Sequence, residues 1–304
     1  MVKISIILTT YNSENYLQGV IDSITNQEGN SDLFELEILV VDDCSTDTTQ
    51  SILLKNDIPF QINTKNTGGP NYGRNLALSM STGDYICIAD HDDIWLPNKI
   101  KKLLSVVDFA PIISSGYILS DKSLKKDVSR VNNSVDNIGY ILYKKNETFI
   151  SKLTKSQVGQ QTYLGSIMFC SSLKHILFEE EYGMIDFDWV LRLFYNQRSV
   201  EICDALYVRK VDGSNLFLDQ TYRIRDYKYS LRTVDKYKNE YFKEVQLSIK
   251  RINGSMARYY YLIGDMRLAR VYFLKSEIGF KMILYFITTF VGSRLVKRYF
   301  KVFG

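Results

Sequence analysis

Short apolar runs alternate with amphipathic stretches along the first 110 residues of the chain. Residues 4–8, 36–41 and 86–89 are mostly apolar runs that predict strands, and the first of them predicts a central strand that is buried on both faces. The first connecting stretch carries apolar residues at helical spacing, namely Leu17, Val20, Ile21 and Ile24. Strands and helices that alternate in this way predict βαβ units, and therefore an α/β fold with a mostly parallel sheet flanked by helices.

The alternation weakens from Pro111 onward. Residues 112–119 and 162–170 have strand character, whereas residues 120–137 are polar and predict a loop. Residues 186–196 form a strongly amphipathic pattern that predicts a helix. The last third of the chain is helical in pattern throughout, and two of its helices are expected to meet at Gly264-Asp265.

Positive charge is concentrated in the C-terminal third. The whole chain has a formal net charge of +4, but residues 221–304 contain 18 Lys and Arg against 6 Asp and Glu, which gives +12 there and −8 before them. We find no nucleic-acid-binding motif, and an anionic membrane surface or a lipid diphosphate explains the charge equally well. The ten uncharged residues 282–291 are too few to span a bilayer, which takes about 20. They predict either a membrane-surface element or a helix packed on its own domain.

Two further features bear on location. The four cysteines are scattered without a C-x-x-C pair, which is typical of reduced core residues. The N-terminal apolar run is shorter than the apolar region of a secretory signal. Both features favour the cytoplasm.

Polar side chains follow each of the three long apolar runs. Thr9 to Asn12 end the first strand, Asp42-Asp43 end the second, and Asp90-His91-Asp92-Asp93 end the fourth strand of the predicted sheet. The carboxyl ends of parallel strands share one edge, where α/β proteins bind ligands. Two carboxylates separated by one residue can hold a divalent cation while phosphates complete its coordination. The alternative is an acidic turn in which Asp93 caps a helix over residues 94–107.

A glycine-containing loop and an arginine add to this edge. Gly68-Gly69 allow the backbone to approach a ligand closely, and Arg74 near the start of the next helix can neutralise phosphate. Four elements in this order point to a site for a metal diphosphate.

The order of motifs resembles that of the family 2 glycosyltransferases, which have the GT-A fold. The resemblance is carried by SIILTTYNSENYL, ILVVDDCSTDTT, NTGGPNYGRNLAL and GDYICIADHDDIWLP. It implies a Rossmann-like sheet, a nucleotide diphosphate sugar as donor, Mn²⁺ or Mg²⁺ as cofactor, and inversion at the anomeric carbon.

The resemblance assigns five residues to the nucleotide sugar. Tyr11 would lie against the nucleobase, which would donate a hydrogen bond to Asp43. Thr9 would belong to the same strand end. Arg74 would lie near the donor phosphates, and Asp90 near the ribose or the sugar.

The resemblance also assigns the metal ligand and the base. Asp92 would bind the metal directly. GMIDFDWVLRLF places the catalytic base on Asp186, and Asp188 is the alternative. Many relatives carry a histidine near Asp212 that closes the donor site; in this chain Asp212 or Ser214 would have to replace it.

The resulting prediction is a non-processive inverting glycosyltransferase. It would move a hexosyl or N-acetylhexosaminyl group, from a UDP-sugar by preference, to a hydroxyl of a saccharide or lipid-linked acceptor in the synthesis of a cell-surface polysaccharide such as a capsule. Processive relatives carry a Q-x-x-R-W motif and several membrane spans, and neither is present in this sequence. The alternatives are an inactive nucleotide-sugar-binding scaffold and a sugar nucleotidyltransferase.

Three segments are predicted. Residues 1–110 would form the donor-binding half of the GT-A domain, residues 111–218 the acceptor-binding half, and residues 219–304 a basic helical region for a membrane surface or for oligomerisation. The protein would act in the cytoplasm, as a peripheral protein at the inner face of the membrane if that region binds lipid. The sequence leaves the oligomeric state open.

Overall fold

The computed structural model describes residues 1–121, 127–134, 138–211 and 219–291. Within these residues the chain divides into two compact units. The first comprises residues 1–149 and 158–211, and the second comprises residues 150–157 and 219–291.

Ten strands and six helices lie in the described chain up to residue 211. The strands are β1 (Val2–Thr10), β2 (Phe34–Asp42), β3 (Phe60–Ile62), β4 (Tyr85–Ala89), β5 (Ile94–Trp95), β6 (Ile112–Asp121), β7 (Val128–Arg130), β8 (Tyr140–Tyr143), β9 (Met168–Cys170) and β10 (Ser199–Val211). The helices are α1 (Leu17–Thr25), α2 (Thr49–Lys55), α3 (Asn71–Met80), α4 (Lys99–Leu104), α5 (Glu147–Leu153) and α6 (Phe187–Phe194).

The strands form one sheet in the order β3-β2-β1-β4-β9-β6-β10-β5, with β7 paired to β6 and β8 paired to β10. Strands β1 to β4 are parallel to one another, and β6 is parallel to β10. Strand β9 runs antiparallel between β4 and β6 and so joins the two halves of the sheet. The predicted α/β class is confirmed.

The apolar run of β1 is explained by its central position. It pairs with β2 on one side and β4 on the other, and Ile4, Ile6 and Ile7 are fully buried. Helix α1 packs through the four residues that its spacing predicts, Leu17, Val20, Ile21 and Ile24. Because β1 is covered on both faces, its run from Ile6 to Leu8 is apolar and its threonines come at the carboxyl edge, while Ser5 is satisfied by donating to Glu37.

The helix predicted over residues 94–107 is wrong in its first half. Ile94 and Trp95 form β5, which pairs antiparallel with β10 so that Trp95 lies opposite Tyr207. The residue before a proline avoids helical geometry, so Pro97 disfavours a helix at Leu96, and α4 begins only at Lys99. Asp93 therefore precedes a strand and does not cap a helix.

Other elements also differ from the sequence pattern. Of the predicted strand at 162–170 only β9 forms, after a 3₁₀ turn at Leu164–Ser166. Part of the predicted loop at 120–137 is strand, because β6 extends to Asp121 and pairs with β7. Strand β10 was not predicted, since charged residues interrupt its apolar positions.

The second unit is helical, as predicted. Its helices are α7 (Gln220–Asp235), α8 (Phe242–Ile263), α9 (Met266–Leu274) and α10 (Phe280–Thr288). Helix α8 ends at Gly264, whose φ of +94° is the left-handed conformation that glycine adopts readily, and the Asp265 side chain then caps α9 by accepting from the Leu268 amide. Among the residues that the structure describes, no helix combines the length and the apolar composition needed to cross a bilayer.

Candidate functional site

The polar residues that follow β1, β2 and β4 lie at one edge of the sheet, as the parallel pairing requires. Thr10 is opposite Asp42, and Leu8 is opposite Ala89, the residue before Asp90. Thr9 is 9% exposed and packs against α3, where its methyl group would stand 3.0 Å from a Cβ atom placed on Gly73. The strand ends and the start of α3 thus share one edge.

The loops that follow β1 and β2 are tied to each other. The Asn12 amide donates to Ser45 Oγ at 2.9 Å, and the Thr46 amide donates to Asn12 Oδ1 at 2.9 Å. Asn12 has a φ of +47°, a left-handed conformation that asparagine tolerates. The neighbouring Tyr11 is 47% exposed, so its ring is available to stack on a planar ligand.

Asp43 holds the glycine loop in place. Its carboxylate is buried and accepts from the Thr67 amide, from the Thr67 hydroxyl at 3.0 Å and from Asn63 Nδ2 at 2.7 Å. The Oδ2 atom receives one of these bonds, from the Thr67 amide at 3.1 Å, and a carboxylate oxygen can accept more than one. Asp43 therefore orders residues 66–69 and still has acceptor capacity for a ligand.

An open pocket of about 300 Å³ lies beside this loop. Its lining is mostly polar: Lys65, Asn66, Thr67, Gly69, Tyr72 and Glu180.

Arg74 and Asp90 are brought together by a salt bridge. Arg74 is 5% exposed, and its Nη2 atom donates to Asp90 Oδ1 at 2.9 Å. Its Nη1 atom donates to Asn71 Oδ1 at 3.2 Å, and the guanidinium lies 5.2 Å from the centre of the Phe178 ring. The Nε atom is buried and has no hydrogen-bond partner among the residues that the structure describes. The arginine is thus held at the end of β4 by two of its five donors, and its Nε donor is unsatisfied.

Two buried asparagines of α3 bind the segment that leads to Asp186. Asn71 Nδ2 donates to the carbonyls of Glu179 at 3.0 Å and Ile185 at 3.4 Å. Asn75 exchanges two hydrogen bonds with the backbone of Phe178, at 2.9 Å and 2.7 Å. Sequence reasoning did not identify these asparagines. The only signal was a pair of amides four residues apart on a helix that has a buried face.

The two acidic residues at α6 have different surroundings. Asp186 immediately precedes the helix, is partly exposed, and makes no capping hydrogen bond to it within the described chain. Asp188 is 1% exposed and accepts from Arg192 Nε at 2.6 Å. Asp188 is therefore a buried carboxylate paired with a partly exposed arginine.

Negative charge is concentrated at the turn after β4. Burial, and then the charges of Asp90 and Asp92, raise the pKa of Asp93 to about 8. Burial and the neighbouring carboxylates thus disfavour the charged form of Asp93.

A buried lysine lies beneath this turn. Lys99 is fully buried, its Nζ atom donates to the Gly165 carbonyl at 2.5 Å, and it stands 3.7 Å from the centre of the Trp95 ring. Burial lowers its pKa to about 8. It was not identified from the sequence, because lysines are ordinarily exposed.

The carboxylates of the turn fit a hard divalent cation. Carboxylate oxygens such as those of Asp90 and Asp92 are the kind of ligand that Mg²⁺ and Mn²⁺ prefer, although one oxygen of Asp90 already accepts from Arg74. Over residues 1–121, 127–134, 138–211 and 219–291 there is no group of three or more acidic, His or Cys side chains arranged to hold a metal. A cation at this turn would therefore take its other ligands from a bound diphosphate and water. Asp212 and Ser214 lie outside the described residues.

Two enzymes illustrate the sequence similarity of the chain to known proteins. Over 112 residues it is 36% identical to the poly(ribitol-phosphate) beta-N-acetylglucosaminyltransferase TarS of Staphylococcus aureus, a match that covers 36% of this chain and 19% of TarS. Over 167 residues it is 29% identical to the GalNAc(5)-diNAcBac-PP-undecaprenol beta-1,3-glucosyltransferase of Campylobacter jejuni, which covers 51% of this chain and 53% of that enzyme. The chain thus spans about a fifth and about half of the lengths of these relatives.

Solved glycosyltransferase structures share the fold. The crystal structure of S. aureus TarS 1-349 in complex with UDP-GlcNAc superposes with a TM-score of 0.57 at 17% identity, over 98% of this chain and 91% of that one. The mannosyltransferase PcManGT of Pyrobaculum calidifontis, in complex with GDP-Man and Mn²⁺, gives a TM-score of 0.58 at 14% identity, over 99% of this chain and 88% of that one. The fold is therefore of the GT-A type.

The model of the family described as Glycosyl transferase family 2 matches residues 5–177. This range is more than half of the chain, and it contains the strand ends, Arg74 and the acidic turn. The protein therefore belongs to glycosyltransferase family 2.

Proposed function

We propose that this protein is an inverting, metal-dependent glycosyltransferase that uses a nucleotide diphosphate sugar. The observation that carries the proposal is the position of α3. Its Arg74 pairs with Asp90 of the acidic turn, and its Asn71 binds the Ile185 carbonyl next to Asp186. Helix α3 thus connects the Arg74 guanidinium, a group suited to binding phosphates, with the segment that carries the proposed base Asp186.

The proposed donor is a UDP-sugar that carries a hexosyl or N-acetylhexosaminyl group. The TarS structure was determined with UDP-GlcNAc, which supports this choice. In this assignment Tyr11 stacks on the base, Asp43 accepts a hydrogen bond from it through its remaining acceptor capacity, and Thr9 forms the floor of the site. The Arg74 guanidinium faces the phosphates, and Asp90 lies beside the ribose or the sugar.

The proposed chemistry is a single displacement. The Asp186 carboxylate takes the proton of the acceptor hydroxyl as the hydroxyl oxygen bonds to the anomeric carbon. The bond from that carbon to the diphosphate breaks on the opposite face, and the nucleoside diphosphate leaves with the electron pair. The burial of Asp188 and its pairing with Arg192 support Asp186 in this role over Asp188.

Asp92 is the proposed ligand of Mn²⁺ or Mg²⁺. When bound, such a cation stabilises negative charge on the diphosphate.

The proposed acceptor is a hydroxyl of a saccharide or of a lipid-linked saccharide in the synthesis of a cell-surface polysaccharide. Two relatives support this class, the poly(ribitol-phosphate) beta-N-acetylglucosaminyltransferase TarS and the GalNAc(5)-diNAcBac-PP-undecaprenol beta-1,3-glucosyltransferase. We place the protein in the cytoplasm, in peripheral contact with the inner face of the membrane through its C-terminal helices.

The test compares two carboxamide variants of neighbouring residues. Asp186→Asn should lower kcat by about 10²–10⁴-fold, the usual contribution of a general base, with little change in the free energy of unfolding. Asp188→Asn removes the charge that pairs with a partly exposed arginine and should destabilise the fold by about 1–3 kcal/mol, while the folded fraction retains its kcat. Full activity in Asp186→Asn with a competent acceptor would reject the assignment.

Sugar release from the donor, measured with and without Mn²⁺, tests the activity itself. Release that depends on Mn²⁺ and is lost in Asp92→Ala supports the enzyme. Binding of a nucleoside diphosphate with no turnover of any donor would instead indicate a scaffold, and formation of a nucleotide sugar from a sugar phosphate would indicate a nucleotidyltransferase.

A further inference from the structure

Helix α10 and the turn after it expose an apolar stripe. Phe280, Ile283, Ile287 and Phe290 follow one another at intervals of three or four residues, and their exposed fractions are 77%, 45%, 56% and 68%. Such spacing places side chains on one side of a helix. The helix lies wholly within the described residues, and none of its nine residues is buried. We call these four residues the apolar stripe.

The other side of α10 is already packed. Met282, Tyr285 and Phe286 lie against a cluster formed by α8 and α9, and the rings of Tyr285 and Tyr261 are 4.9 Å apart in an edge-on arrangement. This packing does not use Phe280, Ile283 or Ile287, whereas Phe290 also contacts its own unit, because the Arg270 guanidinium lies 4.8 Å from the centre of its ring. Contiguous apolar exposure of this kind marks a surface that contacts a partner or a membrane.

Positive charge predominates in the described part of the unit that carries the stripe. Residues 219–291 contain 14 Lys and Arg against 7 Asp and Glu. The two acidic residues of the segment that holds α9 and α10 are engaged, because Glu277 pairs with Arg251 at 2.7 Å and Asp265 caps α9. Lys275 and Lys281 are exposed on either side of Phe280. The stripe thus has lysines near its first residue and belongs to a unit with an excess of positive charge, as in an element that lies in a membrane interface.

We propose that the apolar stripe docks on an anionic phospholipid surface, with Lys275 and Lys281 among the headgroups. This docking deepens the membrane contact proposed above and rests on it. A second copy of the chain fits less well, since it would bring two basic surfaces together. A soluble polyanion would pair with the lysines but leave four large apolar side chains in water.

The test is sedimentation of the full chain with vesicles. Vesicles of equal parts phosphatidylcholine and phosphatidylglycerol should bind the protein, and vesicles of phosphatidylcholine alone should bind it much more weakly. The double variant Phe280→Ser/Ile287→Ser should lower the partition coefficient by about 100-fold or more, because two large apolar side chains no longer enter the membrane. Lys281→Gln should lower it by about fivefold.

Phe242→Ser is the matched control. Phe242 is 64% exposed and begins α8, 19 residues before Tyr261, which is about 28 Å along the helix. It should leave vesicle binding unchanged. Equal weakening by this control, or no binding of the wild-type protein to anionic vesicles, would overturn the docking. So would a change of oligomeric state in the double variant, since that result would make a second copy the occupant.

Vesicle binding and sugar transfer are separate readouts. The double variant should transfer sugar to a soluble acceptor as fast as the wild-type protein. Conversely, Asp186→Asn should still bind vesicles. A wild-type protein that binds anionic vesicles but transfers no sugar would reject the proposed function and leave the docking surface in place.

Discussion

Gly69→Ala probes the contact between the glycine loop and the segment that leads to Asp186. A Cβ atom on residue 69 would stand 2.5 Å from the carbonyl carbon of Gly183 and 2.8 Å from its Cα atom. Carbon atoms in contact are normally about 3.5–4.0 Å apart, so one of the two segments must move by about 1 Å. Both are backbone, so no side chain can rotate away to make room.

A displacement of about 1 Å in a catalytic site can cost about 100-fold in rate. We therefore expect kcat/KM of Gly69→Ala to fall by about two orders of magnitude. Overpacking of this kind also costs about 1–3 kcal/mol of unfolding free energy. The assay is donor consumption in the presence of acceptor, divided by the folded fraction obtained from urea unfolding.

Gly83→Ala provides the control for overpacking alone. A Cβ atom there would stand 2.6 Å from the Ser5 amide nitrogen, a clash of similar size. Gly83 precedes β4, whose five residues span about 17 Å, so its clash lies at the edge opposite the acidic turn. This variant should lose stability but keep its kcat/KM per folded molecule. Equal loss of kcat/KM in the two variants would refute the reasoning.

Two further predictions concern an ion pair at the site and one away from it. Arg74→Lys keeps the charge, but a lysine cannot bind Asp90 and Asn71 together in the same geometry. We therefore expect kcat/KM to fall by at least about tenfold in steady-state assays. An unchanged kcat/KM would show that the paired geometry is not needed. Burial alone would raise the pKa of Glu37, but hydrogen bonds from Lys3, Ser5 and Thr82 together lower it from 4.5 to about 2. Because the folded state lowers this pKa, its stabilising effect is present above about pH 4.5 and is lost as the pH falls toward 2. Because the Glu37 carboxylate is partly solvated, Glu37→Gln should lower the free energy of unfolding by only about 1 kcal/mol at pH 7, and by almost nothing near pH 2. Urea unfolding measures both values. An equal loss at the two pH values would contradict the coupling of stability to the ionisation of Glu37.

The parallel half of the sheet was predictable because local pattern and burial coincide there. Helix α1 buries Leu17, Val20, Ile21 and Ile24, the same residues that define its periodicity. Strand β10 was not predictable, because it pairs with β6 and β8, which lie far away in sequence, and its partly exposed positions carry charge. The helix predicted from residue 94 was wrong because Trp95 pairs with Tyr207 of β10, a partner more than 100 positions away that local sequence pattern cannot reveal.

The candidate site could be predicted for residues that stand at strand ends. Arg74 and Asp90 were both expected at this edge, and the structure joins them directly. Asn71 and Asn75 could not be predicted, because amide side chains on a helix are ordinarily exposed and their partners are backbone carbonyls more than 100 residues away. The burial of Lys99 depends likewise on the distant Gly165 carbonyl.

The asparagine bonds of α3 also bear on the order in which the molecule folds. They join residues 103 to 114 positions apart, so they cannot form until the chain has been made and collapsed as far as Ile185. Contacts of such long range form late and slowly. Strands β1 to β4 can pair early, but Arg74 acquires its final surroundings only with the second half of the sheet. A nascent or truncated chain that ends near residue 110 is therefore expected to have the strands of the donor edge without a working site.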